Sequence, residues 1–393
     1  MFRTYHRRSP CNLCSCKSHF GRAFPNLGEE VLVPRLISLL RAASQCREDL
    51  PLATFDEEQI RWAIETGLGP LLFRTTKAHP QASTSLLWPL LQGADLTARM
   101  LTGEQLDAMD EIIDACEGRV PTLTPLKGIS ICDLYYPEPH LRPMRDIDFL
   151  VEAAHLPSVE SILLKIGYRQ RSECPPESYD KHHHSMPFFH PQRGVWVEVH
   201  RGLFPPRNKV SSEKIFSLEN LKGQLQPSEF QGRKVTRLSN ELQIVYIASH
   251  WACTFSVIGG MVAMVDMIYL LKNTKDTIHW EQIVDWLHSS VASTYLYLML
   301  TYLVKYQLIA IAPEILHRLF LSQRSFGKMN LKIMHVLIDH YLVDGRGFGQ
   351  VLSLRNLDIL WKTLLFSGPP FRNLMLVPWT ILLPWRLRTR LEL

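Results

Sequence analysis

The sequence predicts an α/β protein: a mixed sheet backed by helices, flanked by N- and C-terminal helical regions. Three observations carry that expectation. Between residues 118 and 238, short runs rich in β-branched and aromatic residues, such as Asp146–Val151 and Val195–His200, alternate with helical stretches. Before and after that segment, apolar residues recur at spacings of three and four, the period of a helix face laid on a core. With 393 residues, 46% of them apolar, the chain is globular and exceeds one compact core, so two or three domains are expected.

Taken in order, residues 1–28 are rich in Arg, Cys, Gly and Pro, lack periodicity and read as a disordered tail. Cys11, Cys14, Cys16 and His19 lie close together there, but structural zinc pairs two ligand knuckles across a longer loop, so no zinc site is assigned. Residues 29–117 form a helical region, with Leu36, Leu39 and Leu40 and then Leu101, Leu106, Met109, Ile112 and Ile113 on apolar faces. Asp56, followed by Glu57, Glu58 and Gln59, has the pattern of a helix cap.

The core, residues 118–238, begins with a strand near Pro121–Leu126 and a short helix over Ser130–Leu134. The strand Asp146–Val151 follows, then a helix over Leu156–Ile166 ended by Gly167, and a hairpin turning at Pro191–Gly194 that leads to His200. Residues 239–393 return to helical periodicity, with helices expected over Met261–Leu271 and Trp286–Val304. Ala252–Leu271 is long enough to cross a membrane. Gly259-Gly260 interrupts it, however, and Asp266 would cost about 3 kcal/mol at a bilayer centre, so a buried helix is expected, with Asp266 paired to His250. The uncharged segment Leu374–Trp385, followed by Arg386, Arg388 and Arg390, either packs on its own domain or touches a membrane surface peripherally; no integral span is expected.

Composition limits the setting. A net charge of +5 permits an anionic substrate without demanding a nucleic acid. Scattered single cysteines at 46, 116, 132, 174 and 253 suit a reducing compartment, and the basic first residues lack an apolar signal core, so a cytoplasmic protein is expected.

The chemistry concentrates in Thr124–Val151, TPLKGISICDLYYPEPHLRPMRDIDFLV. Side chains alternate along a strand, so Asp146 and Asp148 share one face while Ile147, Phe149 and Val151 face the other. Two carboxylates so close resist joint ionisation, and a divalent cation such as Mg²⁺ (or Mn²⁺) resolves the conflict. In Val195–His200, VWVEVH, the same alternation puts Trp196, Glu198 and His200 on one face. If this strand pairs near the first, Glu198 completes a three-carboxylate set, which can hold two metals about 4 Å apart for phosphoryl transfer. The alternative is that Glu198 lies on the surface face of a hairpin, with Trp196 and His200 as its half-exposed neighbours. Three consecutive histidines, His182, His183 and His184, invite a transition-metal reading but cannot all face one ion from a strand, so one of them near the substrate phosphates is expected instead.

Leu126-Lys127-Gly128, the block Leu141-Arg142-Pro143-Met144-Arg145-Asp146-Ile147-Asp148-Phe149-Leu150-Val151, and Val197-Glu198-Val199-His200 together resemble an uncharacterised bacterial nucleotidyltransferase family of the polymerase-β-like superfamily, over about residues 30–290. The resemblance implies a nucleotidyltransferase-like fold and a magnesium-dependent, nucleotide-binding transferase. It would move a nucleoside monophosphate from a nucleoside triphosphate, ATP among the candidates, to a hydroxyl on a small molecule, protein or RNA, releasing pyrophosphate. It implies metal ligation and catalysis by Asp146, Asp148 and Glu198, and phosphate contacts from Lys127, Gly128, Ser130, Arg142 and Arg145; salt-bridge duty is an equal alternative for the two arginines. Most of the superfamily carries Gly-Ser or Gly-Gly at the phosphate turn, where Lys127-Gly128-Ile129-Ser130 stands here. That turn is similar to the Lys-Gly version of toxin nucleotidyltransferases, so tRNA as acceptor is one alternative and an inactive nucleotide-binding scaffold another. The long connection from Gly128 to Asp146, stiffened by Pro137, Pro139 and Pro143, is expected to form a wall or lid. From the crowding of acids alone, Asp148→Asn is expected to abolish transfer while hardly unfolding the protein.

Overall fold

The computed structural model describes residues 35–338 apart from 173–174, 207, 259–260 and 326. The basic tail with its cysteines and the segment Leu374–Trp385 lie outside the described residues.

Four helices precede the sheet: α1 (Arg35–Ser44), α2 (Glu57–Glu65), α3 (Gly69–Thr76) and α4 (Trp88–Cys116). The cap expected at Asp56 is a reciprocal capping box: its Oδ1 accepts from Gln59 N at 2.9 Å, and Gln59 Oε1 accepts from Asp56 N at 3.2 Å. Helix α4 runs 29 residues. Its last turns bury Met109, Ile112, Ile113 and Cys116 in the core formed with Ile147, Phe149, Val197 and Val199 from the sheet. Each such side chain contributes about 1.5–3 kcal/mol when fully buried. This apolar face therefore anchors the strands that carry the acids.

The sheet has five strands: β1 (Thr124–Pro125), β2 (Ile147–Leu150), β3 (Arg169–Gln170), β4 (Phe188–His190) and β5 (Val195–His200), in the order β1-β2-β5-β4-β3. Only β2 and β5 pair in parallel; the other neighbours are antiparallel, so the sheet is mixed. Helix α5 (Lys127–Tyr135) lies between β1 and β2, and α6 (Leu156–Lys165) follows β2. On α6, Leu156, Val159 and Leu163 sit one turn apart and all are buried, which lays that helix on the sheet. Gly167 ends this segment at φ +99°, a conformation that favours a residue without Cβ.

A second, two-stranded sheet, β6 (Leu225–Phe230) with β7 (Arg233–Leu238), follows the short helix α7 (Leu218–Gly223). It docks on the first through Thr236, whose N donates to Leu123 O at 2.9 Å and whose hydroxyl meets that of Thr124 at 2.6 Å.

The chain then becomes helical: α8 (Asn240–Ile258), α9 (Met261–Thr274), α10 (Trp280–Trp286), α11 (Val291–Lys305), α12 (Pro313–Leu321) and α13 (Gly327–Ile338). The apolar stretch Ala252–Leu271 is divided between α8 and α9, and no helix among the described residues is long and apolar enough to cross a membrane. The helix expected over Trp286–Val304 is likewise two, because Ser289 takes φ +57° and Ser290 caps α11 by accepting from Ala292 N.

Two sets of polar contacts tie α9 to the sheet region. Asp266 accepts from Arg142 Nε at 3.1 Å and Nη2 at 3.0 Å and from the Tyr136 hydroxyl at 2.7 Å. Asn273 Nδ2 donates to Tyr135 O at 3.0 Å. The partners holding Asp266 are thus Arg142 and Tyr136, where the sequence suggests His250. The connection from Gly128 to Asp146 is fastened down: Gln105 Nε2 donates to Met144 O at 3.1 Å, and His140 Nε2 lies 3.1 Å from Asp95 Oδ1. It is a pinned wall and not a loose lid.

Candidate active site

The acids meet because of strand register. Parallel pairing sets Asp148 opposite Glu198 and Leu150 opposite His200. Ile147, Phe149, Val197 and Val199 point into the core, so the alternating Asp148, Glu198 and His200 emerge together on the other face. One ligand atom from each of Asp148, Glu198 and His200 falls within 4.8 Å of the others. Asp146 stands one residue before β2, half-buried.

Asp148 is 3% exposed and carries most of the polar contacts. Its Oδ1 accepts from Lys127 Nζ at 2.7 Å and lies 2.7 Å from His200 Nε2. Burial alone would favour the neutral acid, yet Lys127 and His200 outweigh it and hold the Asp148 carboxyl well below the usual carboxylate range. Glu198, 21% exposed, lies 3.5 Å from His200 Nε2 and 3.7 Å from His184 Nε2. Burial opposes its ionisation, and the hydrogen bond to His200 more than compensates, lowering its pKa.

Asp146 behaves in the opposite way. Burial first, then the negative charges of Asp148 and Glu198, push its pKa up to about 7. Hence the cluster holds one acid more than its own cations readily neutralise.

Lys127 sits at the N-terminus of α5 with φ +46°, a left-handed conformation that a long L side chain rarely adopts. Burial opposes its charge, but Asp148, with Tyr246, Glu198 and Asp146, raises its pKa well above the ordinary lysine value. Gly128 follows for a packing reason: a Cβ there would lie 2.6 Å from Met144 Cγ and 2.9 Å from Arg142 Nη1. The helix thus begins at Lys127, three residues earlier than the sequence suggests, and the turn between β1 and α5 shrinks to Leu126.

The remaining residues singled out in the sequence are dispersed. Ser130 is buried and its hydroxyl and carbonyl both accept from Arg237 Nη1, so it faces β7. Arg142 is engaged with Asp266. Arg145 is exposed beside Asp146.

His200 argues against the surface-hairpin alternative for Glu198: it is 0% exposed and bridges Asp148 and Glu198, not a half-exposed neighbour. Burial and Lys127 work against its charge, while the hydrogen bonds to the two acids prevail and raise its pKa. The signal was available, since the alternation in VWVEVH already puts His200 on Glu198's face. The histidine run also departs from expectation: His182 and His183 lie in a bend, not a strand, and His184 forms a β-bridge to His200.

A family model described as an uncharacterised nucleotidyltransferase matches residues 55–306, well over half of the chain. The chain belongs to that family. No curated protein and no solved structure matches it significantly. The nucleotidyltransferase match contains the whole acidic cluster, both sheets and the helices from α2 to α11. Nucleotidyltransferases generally act on nucleoside triphosphates with a divalent metal, and the donor set here fits one. Its carboxylate oxygens are hard ligands, Glu198 and Asp146 reach solvent, and three acids gathered beside Lys127 and His200 leave negative charge that a divalent cation would neutralise.

Proposed function

We propose that this nucleotidyltransferase moves a nucleoside monophosphate from a nucleoside triphosphate to a hydroxyl acceptor, with pyrophosphate as the leaving group. The observation that carries this reading is the parallel register that sets Glu198 against Asp148 with Asp146 adjacent in the chain. Asp146, Asp148 and Glu198 would hold Mg²⁺ or Mn²⁺, which when bound polarises the α-phosphate and acidifies the acceptor hydroxyl.

The protein's own groups do the rest. The acceptor oxygen bonds to the α-phosphorus, the bond to the β-phosphate oxygen breaks, and its electron pair leaves on pyrophosphate. Glu198, solvent-reachable and ionised, takes the hydroxyl proton. Lys127 presents its ammonium beside Asp148, where it contacts the triphosphate as a point charge. First-turn N–H groups of α5, that of Gly128 among them, add donors and the positive end of the helix dipole. Arg145 supplies an exposed guanidinium. Arg142 and Ser130 shape the site from behind, through Asp266 and Arg237. His200 fixes the two acids relative to each other.

The test is to incubate the purified protein with each triphosphate, labelled at the α or the γ position, with Mg²⁺ or Mn²⁺, and to follow label on the protein, on RNA and on small molecules. Label arriving from the α position with matching pyrophosphate release is expected. Transfer of the γ label, or of neither, overturns the reading.

A further inference from the structure

Beside the carboxylate cluster lies a second group of potential ligands that nucleotidyl transfer does not use. His182, His183 and His184 each offer a ring nitrogen, and these nitrogens lie within 4.8 Å of one another. In an extended strand the middle side chain would point away. Here the bend at His182 and His183 turns all three inward, and their ring centroids are 4.2–4.8 Å apart.

We propose that His182, His183 and His184 form a binding site for an imidazole-preferring transition-metal ion, zinc foremost, adjacent to and separate from the carboxylate cluster. Four features of the structure support this. First, tetrahedral zinc with nitrogen ligands at about 2.0–2.1 Å sets those nitrogens about 3.3 Å apart, so side-chain rotation closes the remaining gap without moving the backbone. Second, that backbone is already held. Arg201 N and Gly202 N donate to His183 O at 2.8 and 3.2 Å, Arg201 Nε donates to His182 O at 2.8 Å, and Ser185 N donates to Val199 O at 2.9 Å.

Third, two of the rings show the marks of ligands. His184 Nδ1 lies 2.6 Å from Ser185 O, a bond that places the proton on Nδ1 and leaves the Nε2 lone pair outward, the usual outer-sphere support of a metal-bound histidine. His183 Nδ1 is buried with no hydrogen-bond partner among the described residues, and a metal ion would satisfy it. Fourth, three imidazoles leave one tetrahedral position for water, and Glu198 Oε2, 3.7 Å from His184 Nε2, can accept a hydrogen bond from that water while remaining in the carboxylate cluster. Neutral imidazoles select Zn²⁺, Ni²⁺ or Cu²⁺ over Mg²⁺, so the two neighbouring sites take different ions.

The experiment uses the full chain, stripped with a chelator and titrated with Co²⁺ or Zn²⁺ alone, no nucleotide being present. The expected result is saturation at one equivalent, visible absorption from the Co²⁺ centre, displacement by Zn²⁺ and no displacement by excess Mg²⁺. His183→Gln should weaken Co²⁺ binding at least about tenfold, and His182→Gln provides the same comparison should the first variant not fold. Asp148→Asn should leave the binding in place. Absence of Co²⁺ binding, binding unchanged in the folded histidine variants, or binding lost in folded Asp148→Asn overturns the proposal.

Discussion

Replacing Asp148 by asparagine tests the electrostatics of the site more sharply than any other single change. Crowded acids, taken by themselves, favour the substitution in the metal-free protein, because it removes one like charge. The structure reverses the sign. Asp148 is the anion that Lys127 Nζ meets at 2.7 Å and that His200 Nε2 meets at 2.7 Å, with Lys127 only 18% and Asp148 3% exposed. Breaking a buried pair from one side costs about 3–5 kcal/mol, because the other charge stays buried. Glu198 and partial solvent access for Lys127 moderate the loss, so Asp148→Asn should destabilise by about 3 kcal/mol at the low end of that range. For a chain of this size, such a loss lowers Tm by about 4 °C. Chemical denaturation in EDTA measures it directly, and Lys127→Met supplies the second arm of a double-mutant cycle. The double variant should be more stable than Asp148→Asn alone, with a coupling of about 1–3 kcal/mol between the sites. An Asp148→Asn protein as stable as the parent, or an additive cycle, would refute the reasoning.

Three further outcomes follow from individual contacts. Gly128→Ala should cost about 1–3 kcal/mol in denaturant, because its Cβ would meet Met144 Cγ at 2.6 Å and Arg142 Nη1 at 2.9 Å, and Arg142 is tied to Asp266; an unchanged midpoint would show that the turn yields easily. Arg142→Ala should cost about 3–5 kcal/mol by stranding the buried Asp266, and Arg142→Lys should recover only part, lacking the two-pronged geometry; full recovery by lysine would contradict that account. Burial, assisted by Arg99, lowers the pKa of His140 against the pull of Asp95 and Glu138. Its contribution to stability is therefore present above the unfolded value of about 6.5 and is lost as pH falls below it, with a slope of up to about 1.4 kcal/mol per pH unit. His140→Gln should flatten the stability profile between about pH 5 and 7, and an unaltered slope would exclude that role.

What the sequence disclosed was local, and what it withheld was long-range. Alternation in Ile147–Leu150 and Val195–His200 suffices to place the acids on faces, and the Asp56 box and the turn at Gly167 are read from neighbouring residues. Lys127 reaching Asp148, His200 reaching Asp148 and Arg142 reaching Asp266 join residues 21, 52 and 124 positions apart, so no periodicity announces them. The hairpin of β6 and β7 escaped notice because Pro227 interrupts its first strand and charged residues crowd its second. Strand alternation would separate the three histidines, and it is the bend at His182 and His183 that brings their rings together. The family match reaches the chemistry without naming the acceptor.

The most direct measurement of the central claim is single-turnover pyrophosphate release by Glu198→Gln beside the parent protein, with saturating triphosphate, Mg²⁺ and the acceptor identified by labelling. Glu198 is 21% exposed and its contacts to His200 and His184 are long, at 3.5 and 3.7 Å, so the variant should remain folded. Removing both a metal-holding carboxylate and the proton acceptor should slow release by at least about 10²-fold with α-label transfer falling in step. A Glu198→Gln protein that releases pyrophosphate at the parent rate would contradict the assignment of the paired strands as the catalytic centre.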